Sequence, residues 1–290
     1  MADSDFSLPD DDAAARRREL GGFLRARRAE VPRTRYALPP GGRGRTVGLR
    51  REEIAVLAGV SVTWYTWLEQ GRPINPSRQV LTAVGEVLGL SPAERAYVFE
   101  LAGYAGGAVL AAGLGVGAQI SPGLQQLLEV LHPNPAFVLA ADWSIIGWNG
   151  GYAALFPQIL DLPLAERNLL RLVFTSDEVR AMLPNWERDS RRFLGDFRAE
   201  GAARLGAGPV ADLIADLQRS SPHFARAWRE HELVGFADGR RIFHHPQVGE
   251  LVFEHHRLTP AVSPELNLIV YLPDPSGPTA QRLTDLEERG

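Results

Sequence analysis

Cysteine is absent from the 290 residues, and so is lysine; arginine supplies all 31 basic side chains. Without cysteine there is no disulfide framework, no thiolate metal site, no iron–sulfur cluster and no cysteine nucleophile. Without lysine there is no P-loop, whose lysine reaches the nucleotide phosphates, and no Schiff base. Long hydrophobic runs are missing too. The longest uncharged stretch, residues 101–128, is broken by Gly, Gln, Ser and Pro and does not read as a membrane span. The first twelve residues carry five aspartates and no cation. A signal peptide starts basic and continues apolar, so a cytoplasmic protein is expected.

What is present points to a soluble globular chain: 45% of residues are hydrophobic and 23% charged, and the length suits about two domains. The net charge of −4 hides an asymmetry. Residues 16–78 hold 14 arginines against five glutamates, while residues 106–290 are net acidic. A basic block beside acidic remainders fits one segment that meets a polyanion and another that does not.

The pattern along the chain predicts a disordered tail at residues 1–12, then helices beginning at Ala13. A Pro/Gly/Arg-rich loop spans residues 31–47. Two short helical patterns surround Gly59, a fourth helix reads from Ser77 to Leu88, and a fifth opens with Ser91-Pro92-Ala93-Glu94 as a capping box. Residues 13–105 thus form a five-helix, all-α domain. A glycine-rich, uncharged linker follows at 106–120, and residues 121–290 form a second domain. There, strand candidates at 137–139 and 144–148 precede helical patterns, and candidates at 240–245, 250–257 and 266–272 close the chain. That order predicts an α+β domain with an antiparallel sheet.

The segment from Leu49 to Gly71 is the most informative. Ala55 is small where two helices would touch, Gly59 suits a left-handed helix end, and Ser61 suits an N-cap. Ile54, Val60, Tyr65 and Leu68 supply a shared core. The pattern resembles the helix-turn-helix of Xre-type repressors. The resemblance implies that the second helix enters the major groove, with Val62, Thr63, Trp64 and Trp67 as base readers and Ser61 near a phosphate. Arg43, Arg45, Arg50, Arg51 and Arg72 are the expected phosphate contacts. The readers depart from the usual Gln, Asn or Arg, so thymine-methyl and phosphate contacts gain weight. Trp64 and Trp67 either face DNA or pack on the 31–47 loop.

Farther along, Tyr65-Thr66-Trp67-Leu68-Glu69-Gln70-Gly71-Arg72, Asn75-Pro76-Ser77, Asn134-Pro135-Ala136, Gly147-Trp148-Asn149, Glu166-Arg167-Asn168-Leu169-Leu170-Arg171, Pro184-Asn185-Trp186-Glu187, Ser221-Pro222-His223-Phe224 and His245-Pro246-Gln247-Val248-Gly249-Glu250-Leu251 occur in this order. Together they resemble the MmyB-like regulators, which join an Xre-type helix-turn-helix to a PAS-like ligand-binding domain. Trp67 stands where that family usually has Arg. The resemblance implies a cavity for a fatty acid or similar lipid. Trp148, Phe156, Phe174, Trp186, Phe193, Phe197, Phe224 and Trp228 are the expected lining, with Arg167 and Asn168 as polar anchors, since a guanidinium grips a carboxylate bidentately. Asn149 is expected to cap a helix.

His244-His245 and His255-His256 look at first like a metal cluster. If 246–249 is a hairpin loop, His245 faces Glu250 and Arg241 faces Glu254. The two histidine pairs then lie roughly 16 Å apart at about 3.3 Å per residue, too far to share an ion. No Gly-x-Ser-x-Gly and no other catalytic constellation appears. The expectation is a non-enzymatic, ligand-responsive DNA-binding regulator, homodimeric, with no metal or cofactor besides a lipid ligand. The alternatives are a PAS-like dimerisation or adaptor module without ligand, and an enzyme with an attached DNA-binding domain.

Overall fold

In the computed structural model, residues 8–38, 48–104, 120–201, 208–233, 239–261 and 263–288 are described. The start of the expected tail, residues 39–47 of the basic loop and nearly all of the expected linker fall outside them. The chain divides into two compact units. No described helix is long and apolar enough to cross a membrane.

The first unit comprises Met1–Ala108, Arg198–Asp212 and Trp228–Leu233. Helix α1 (Leu8–Glu30) opens ahead of the expected start at Ala13, inside the stretch read as a tail. It buries Leu20, Phe23 and Leu24. The segment after it is not all loop. Arg33–Tyr36 winds into a 3-10 turn, tied down by the Tyr36 hydroxyl donating to the Val87 carbonyl at 2.6 Å. Helices α2 (Arg51–Leu57), α3 (Val62–Glu69), α4 (Arg78–Leu88) and α5 (Pro92–Leu101) follow. The caps are those the sequence asks for: Ser61, Ser77 and Ser91 each accept a backbone N–H of the first turn. Glu94 completes the capping box, accepting from Ser91 N at 2.8 Å. Helices α1 and α3 touch through Gly21, where a Cβ would lie 2.5 Å from the Glu69 carbonyl oxygen. Arg198 is fully buried; its Nε lies 3.3 Å from Glu19. The Tyr97 hydroxyl donates to the same carboxylate at 2.8 Å.

The second unit comprises Val109–Phe197, Leu213–Ala227 and Val234–Gly290. Its described helices are α6 (Pro122–Val130), α7 (Gly150–Leu155), α8 (Leu169–Thr175), α9 (Asp177–Met182), most of α10 (Trp186–Gly201), α11 (Gly208–Ser220) and α12 (Pro222–Glu230), and α13 (Thr279–Glu287). Strands β1 (Ala136–Leu139), β2 (Ile145–Trp148), β3 (Arg240–His245), β4 (Gly249–Leu258) and β5 (Asn267–Pro273) form one antiparallel sheet in the order β2-β1-β5-β4-β3. Side chains alternate between faces. Ala136, Val138, Leu268 and Val270 pack with Leu124 and Leu128 of α6 on one face. Phe137, Phe253 and Tyr271 gather on the other with Tyr152 of α7. β1 is buried at every position because both faces are covered.

The β3–β4 hairpin corrects the expected register by one residue. His245 pairs with Gly249 and Arg240 with Glu254, so Arg241 meets Phe253 rather than Glu254. The loop holds three residues, not four. Gly249 takes φ 77°, the left-handed position that closes a three-residue hairpin.

Candidate functional site

Helix α3 is set by its ends. Gly59 at φ 69° releases the chain from α2. The Ser61 hydroxyl oxygen accepts from Trp64 N at 3.1 Å, which leaves its O–H free to donate outward. Tyr65 and Leu68 turn inward with Ile54 and Ala55. Val62, Thr63 and Trp67 are exposed, and Trp64 is half-buried. Trp67 keeps 39% of its surface exposed, with the Arg72 guanidinium 6.0 Å from its ring centroid. Arg50 precedes α2 with a half-exposed side chain, and Glu53 accepts from its backbone N–H at 2.8 Å. Arg43 and Arg45 lie outside the described residues.

Behind α3 sits a buried carboxylate. Glu69 accepts from Arg28 Nε at 2.5 Å and from Arg51 Nε at 2.7 Å. Burial alone would raise its pKa, but the hydrogen bonds from Arg28 and Arg51 outweigh that and hold it below the ordinary glutamate range. Arg28 also donates to the Leu49 carbonyl at 2.7 Å. One carboxylate thus fastens α1, the entry to α2 and the end of α3.

The second unit contains two very different spaces. Between the sheet and α8–α10, Phe137, Tyr152, Phe156, Phe193, Phe243 and Tyr271 enclose only about 20 Å³. Ring centroids there lie 4.5 to 5.8 Å apart for Phe137–Tyr152, Phe137–Tyr271, Tyr152–Phe156, Phe156–Phe243 and Phe243–Tyr271, so the rings fill the interior. A cleft of about 900 Å³ opens where α7, the turn after it, α9, the β3–β4 turn and α13 meet. Its lining combines small and apolar residues, among them Gly150, Ala153, Ala154, Ala181 and Met182, with the polar side chains of His132, Gln158, Glu178, His244, His245, Gln247 and Glu287.

The chain matches the family model for the MmyB-like transcription regulator ligand binding domain over residues 120–286, more than half its length. Residues 19–98 match a helix-turn-helix domain. The chain belongs to the MmyB-like transcription regulators. No curated protein matches it. The two matches make it a ligand-responsive, DNA-binding transcription regulator.

In this MmyB-like regulator the residues expected to line the ligand site do not form one group. Phe156 and Phe193 border the filled interior. Phe174, Trp186 and Phe224 cluster with His223; Phe174 stands 5.0 Å from Phe224 and 6.5 Å from Trp186. The Trp186 indole donates to the Val173 carbonyl at 2.8 Å. Phe197 is buried edge-on to Trp143. Trp228 belongs to the first unit and stacks under Arg198. Trp148 is covered by Arg167, whose guanidinium lies 5.0 Å from its ring.

Arg167 donates from Nε to the nearby Leu162 carbonyl at 2.8 Å. Asn168 is the N-cap of α8, accepting from Arg171 N at 3.1 Å and donating to the Asp142 carbonyl at 2.8 Å. Asn149 caps α7 as expected, and its side chain makes four hydrogen bonds, with Ala136, Tyr152, Leu128 and Asn134. Gln158 and the carboxylate of Glu69 were given no role from sequence, whereas His245 was weighed there as part of a metal cluster and as a reserve donor to the ligand head group. A signal existed for each space. A glutamate in the last turn opposes the helix dipole and calls for nearby cations, and the run Gly150-Gly151-Tyr152-Ala153-Ala154 is too small to fill a helix face.

Proposed function

We propose that the chain is a homodimeric, sequence-specific regulator in the cytoplasm that senses a fatty acid or similar lipid, and that it is a binding protein rather than an enzyme. The lipid reading rests on the 900 Å³ cleft with its largely apolar wall, near the upper end of the size of small-molecule sites. The DNA reading rests on the capped, exposed first turn of α3, where Val62, Thr63 and Trp67 face outward. Arg50, Arg51 and Arg72 flank it as phosphate contacts, and Ser61 offers a hydroxyl. Two copies would place two reading helices on half-sites about one helical turn apart. A ligand that fits one dimer arrangement better shifts their spacing.

Lipid extraction of the purified chain with mass spectrometry, and thermal melts with saturated fatty acids of increasing length, test the ligand. A bound lipid and a midpoint that climbs with chain length are expected. No co-purifying lipid and no stabilisation would leave the adaptor reading, which the ring-filled interior favours. Sedimentation of the free and DNA-bound chain as monomer alone would remove the dimer.

A further inference from the structure

Helix α1 carries two adjacent glycines in its interior, Gly21 and Gly22, although glycine is a poor residue for a helix interior. Each is used by a close approach from a different neighbour. A Cβ on Gly21 would lie 2.5 Å from the Glu69 carbonyl oxygen of α3, and a Cβ on Gly22 would lie 2.8 Å from Cε1 and Nε2 of the His231 ring. His231 is held at both ends. Its Nδ1 lies 3.1 Å from Glu19, one turn before Gly22, and its carbonyl oxygen accepts from Arg27 Nη2 at 2.6 Å. Its backbone takes φ 52°, a left-handed conformation that a residue with a β-carbon keeps only where its surroundings impose it.

Glu19 also gathers Arg198 and Tyr97, so one buried carboxylate ties α1 to α5, to α10 and to the residue after α12. Burial alone would raise the Glu19 pKa, but the His231 hydrogen bond and the Arg198 charge outweigh it. Arg198 and Trp228–Leu233 belong to the first compact unit, yet lie in the ligand-binding half of the sequence. Helices α10 and α12 lead to them, each beginning with residues of the second unit. Another side of α1 meets the helix-turn-helix directly, through Gly21 on the α3 backbone and Arg28 on Glu69 and the Leu49 carbonyl.

We infer that α1 is the coupling helix of this regulator: the seat of His231 on Glu19 and Gly22 sets the position of α1, and Gly21 and Arg28 pass that position to α3. Glu19, Gly22 and His231 are then positioning residues for DNA binding that touch no DNA themselves. The inference rests on the DNA reading above and is independent of which ligand the cleft takes. With the seat displaced, α1 and α3 have to be ordered at the moment of binding, which weakens it.

The test uses the full chain and the duplex that it selects from a random-sequence pool. Gly22→Ala adds a methyl group that the His231 ring has to vacate, while favouring the helix itself; circular dichroism checks that the variant is folded. It is expected to weaken duplex binding at least fivefold with an unchanged salt dependence, because no phosphate contact is altered. His231→Ala should weaken binding to a similar extent, and the double variant no further than either single one, since all three remove the same contact. In the wild-type chain, added duplex should slow amide exchange at residues 228–233, because coupling is reciprocal. Wild-type affinity in both single variants overturns the inference, as does exchange at 228–233 that the duplex leaves unmoved. A changed salt slope in Gly22→Ala also overturns it, since position 22 would then face DNA. If the wild-type chain selects no duplex, the DNA reading itself is lost.

Discussion

The interior behind α3 and the interior under the sheet are built on opposite principles. The first is organised around a carboxylate, Glu69, held by Arg28 and Arg51. The second is organised around rings that leave about 20 Å³ unfilled. Charge fixes positions through direction and pairing; rings fix them through volume. The comparison also separates two meanings of an aromatic-rich sequence. The rings close one space, while the open cleft is lined by a glycine and three alanines among apolar and polar side chains.

The largest expected effect tests the closed interior. Phe253 is fully buried, 5.6 Å from Tyr271 and 6.1 Å from Phe243. Phe253→Ala should cost about 4 kcal/mol in denaturant unfolding; a loss below about 1 kcal/mol would mean the rings are loosely packed. Glu69→Gln should cost about 3 kcal/mol, because it leaves two arginines facing a neutral amide. A near-neutral result would mean that Arg28 and Arg51 find water instead.

Acid should separate the two regions. His255, half-buried beside Tyr271, is pushed down to about 3, chiefly by burial and then by Arg241, Arg257 and His256. The unfolded chain takes up its proton near pH 6.5, the folded chain near 3, so this contribution is lost steadily as pH falls between those values. Glu69 and Glu19 sit below their ordinary range despite burial, through their arginine and hydrogen-bonding partners. Their contribution is present above the ordinary carboxylate pKa and is lost only as pH falls through the lower folded values. Amide exchange mapped onto each unit between pH 7 and pH 5 should show the second unit losing protection first; the reverse order would break the comparison.

The smallest effect is a contrast in added volume. Val173→Phe forces atoms into the filled interior and should cost about 2 kcal/mol. Ala153→Leu reaches into the cleft and should change stability by less than about 0.5 kcal/mol. Equal costs would mean that the cleft is not open.

The helix-turn-helix was legible because its constraints are local. A cap at Ser61, a left-handed glycine at 59 and a small Ala55 each act within one turn of their own position. Strand positions were legible for the same reason, since alternation and β-branched runs are local, while the β3–β4 register turned on whether Gly249 lies inside the loop or pairs with His245. How the aromatic residues group in space was not legible. Aromatic residues at Phe174, Trp186 and Phe224 declare burial but not whether they enclose space. Arg167 was read as an anchor because a guanidinium fits a carboxylate; in the fold its Nε donates to the nearby Leu162 carbonyl. Where a side chain points over several ångströms depends on packing between elements far apart in sequence.

The shared partner of Arg51 bears on how DNA binding responds to salt. Arg51 keeps 39% of its side chain exposed while its Nε bonds Glu69 at 2.7 Å. A phosphate that reached it would meet a cation already half neutralised, so Arg51 should release less than one counterion. The slope of log affinity against log salt, near 0.9 per phosphate neutralised, should therefore fall short of the number of arginines around α3. In Glu69→Gln the slope should steepen even as the fold weakens, so the same substitution would move stability and electrostatic grip in opposite directions.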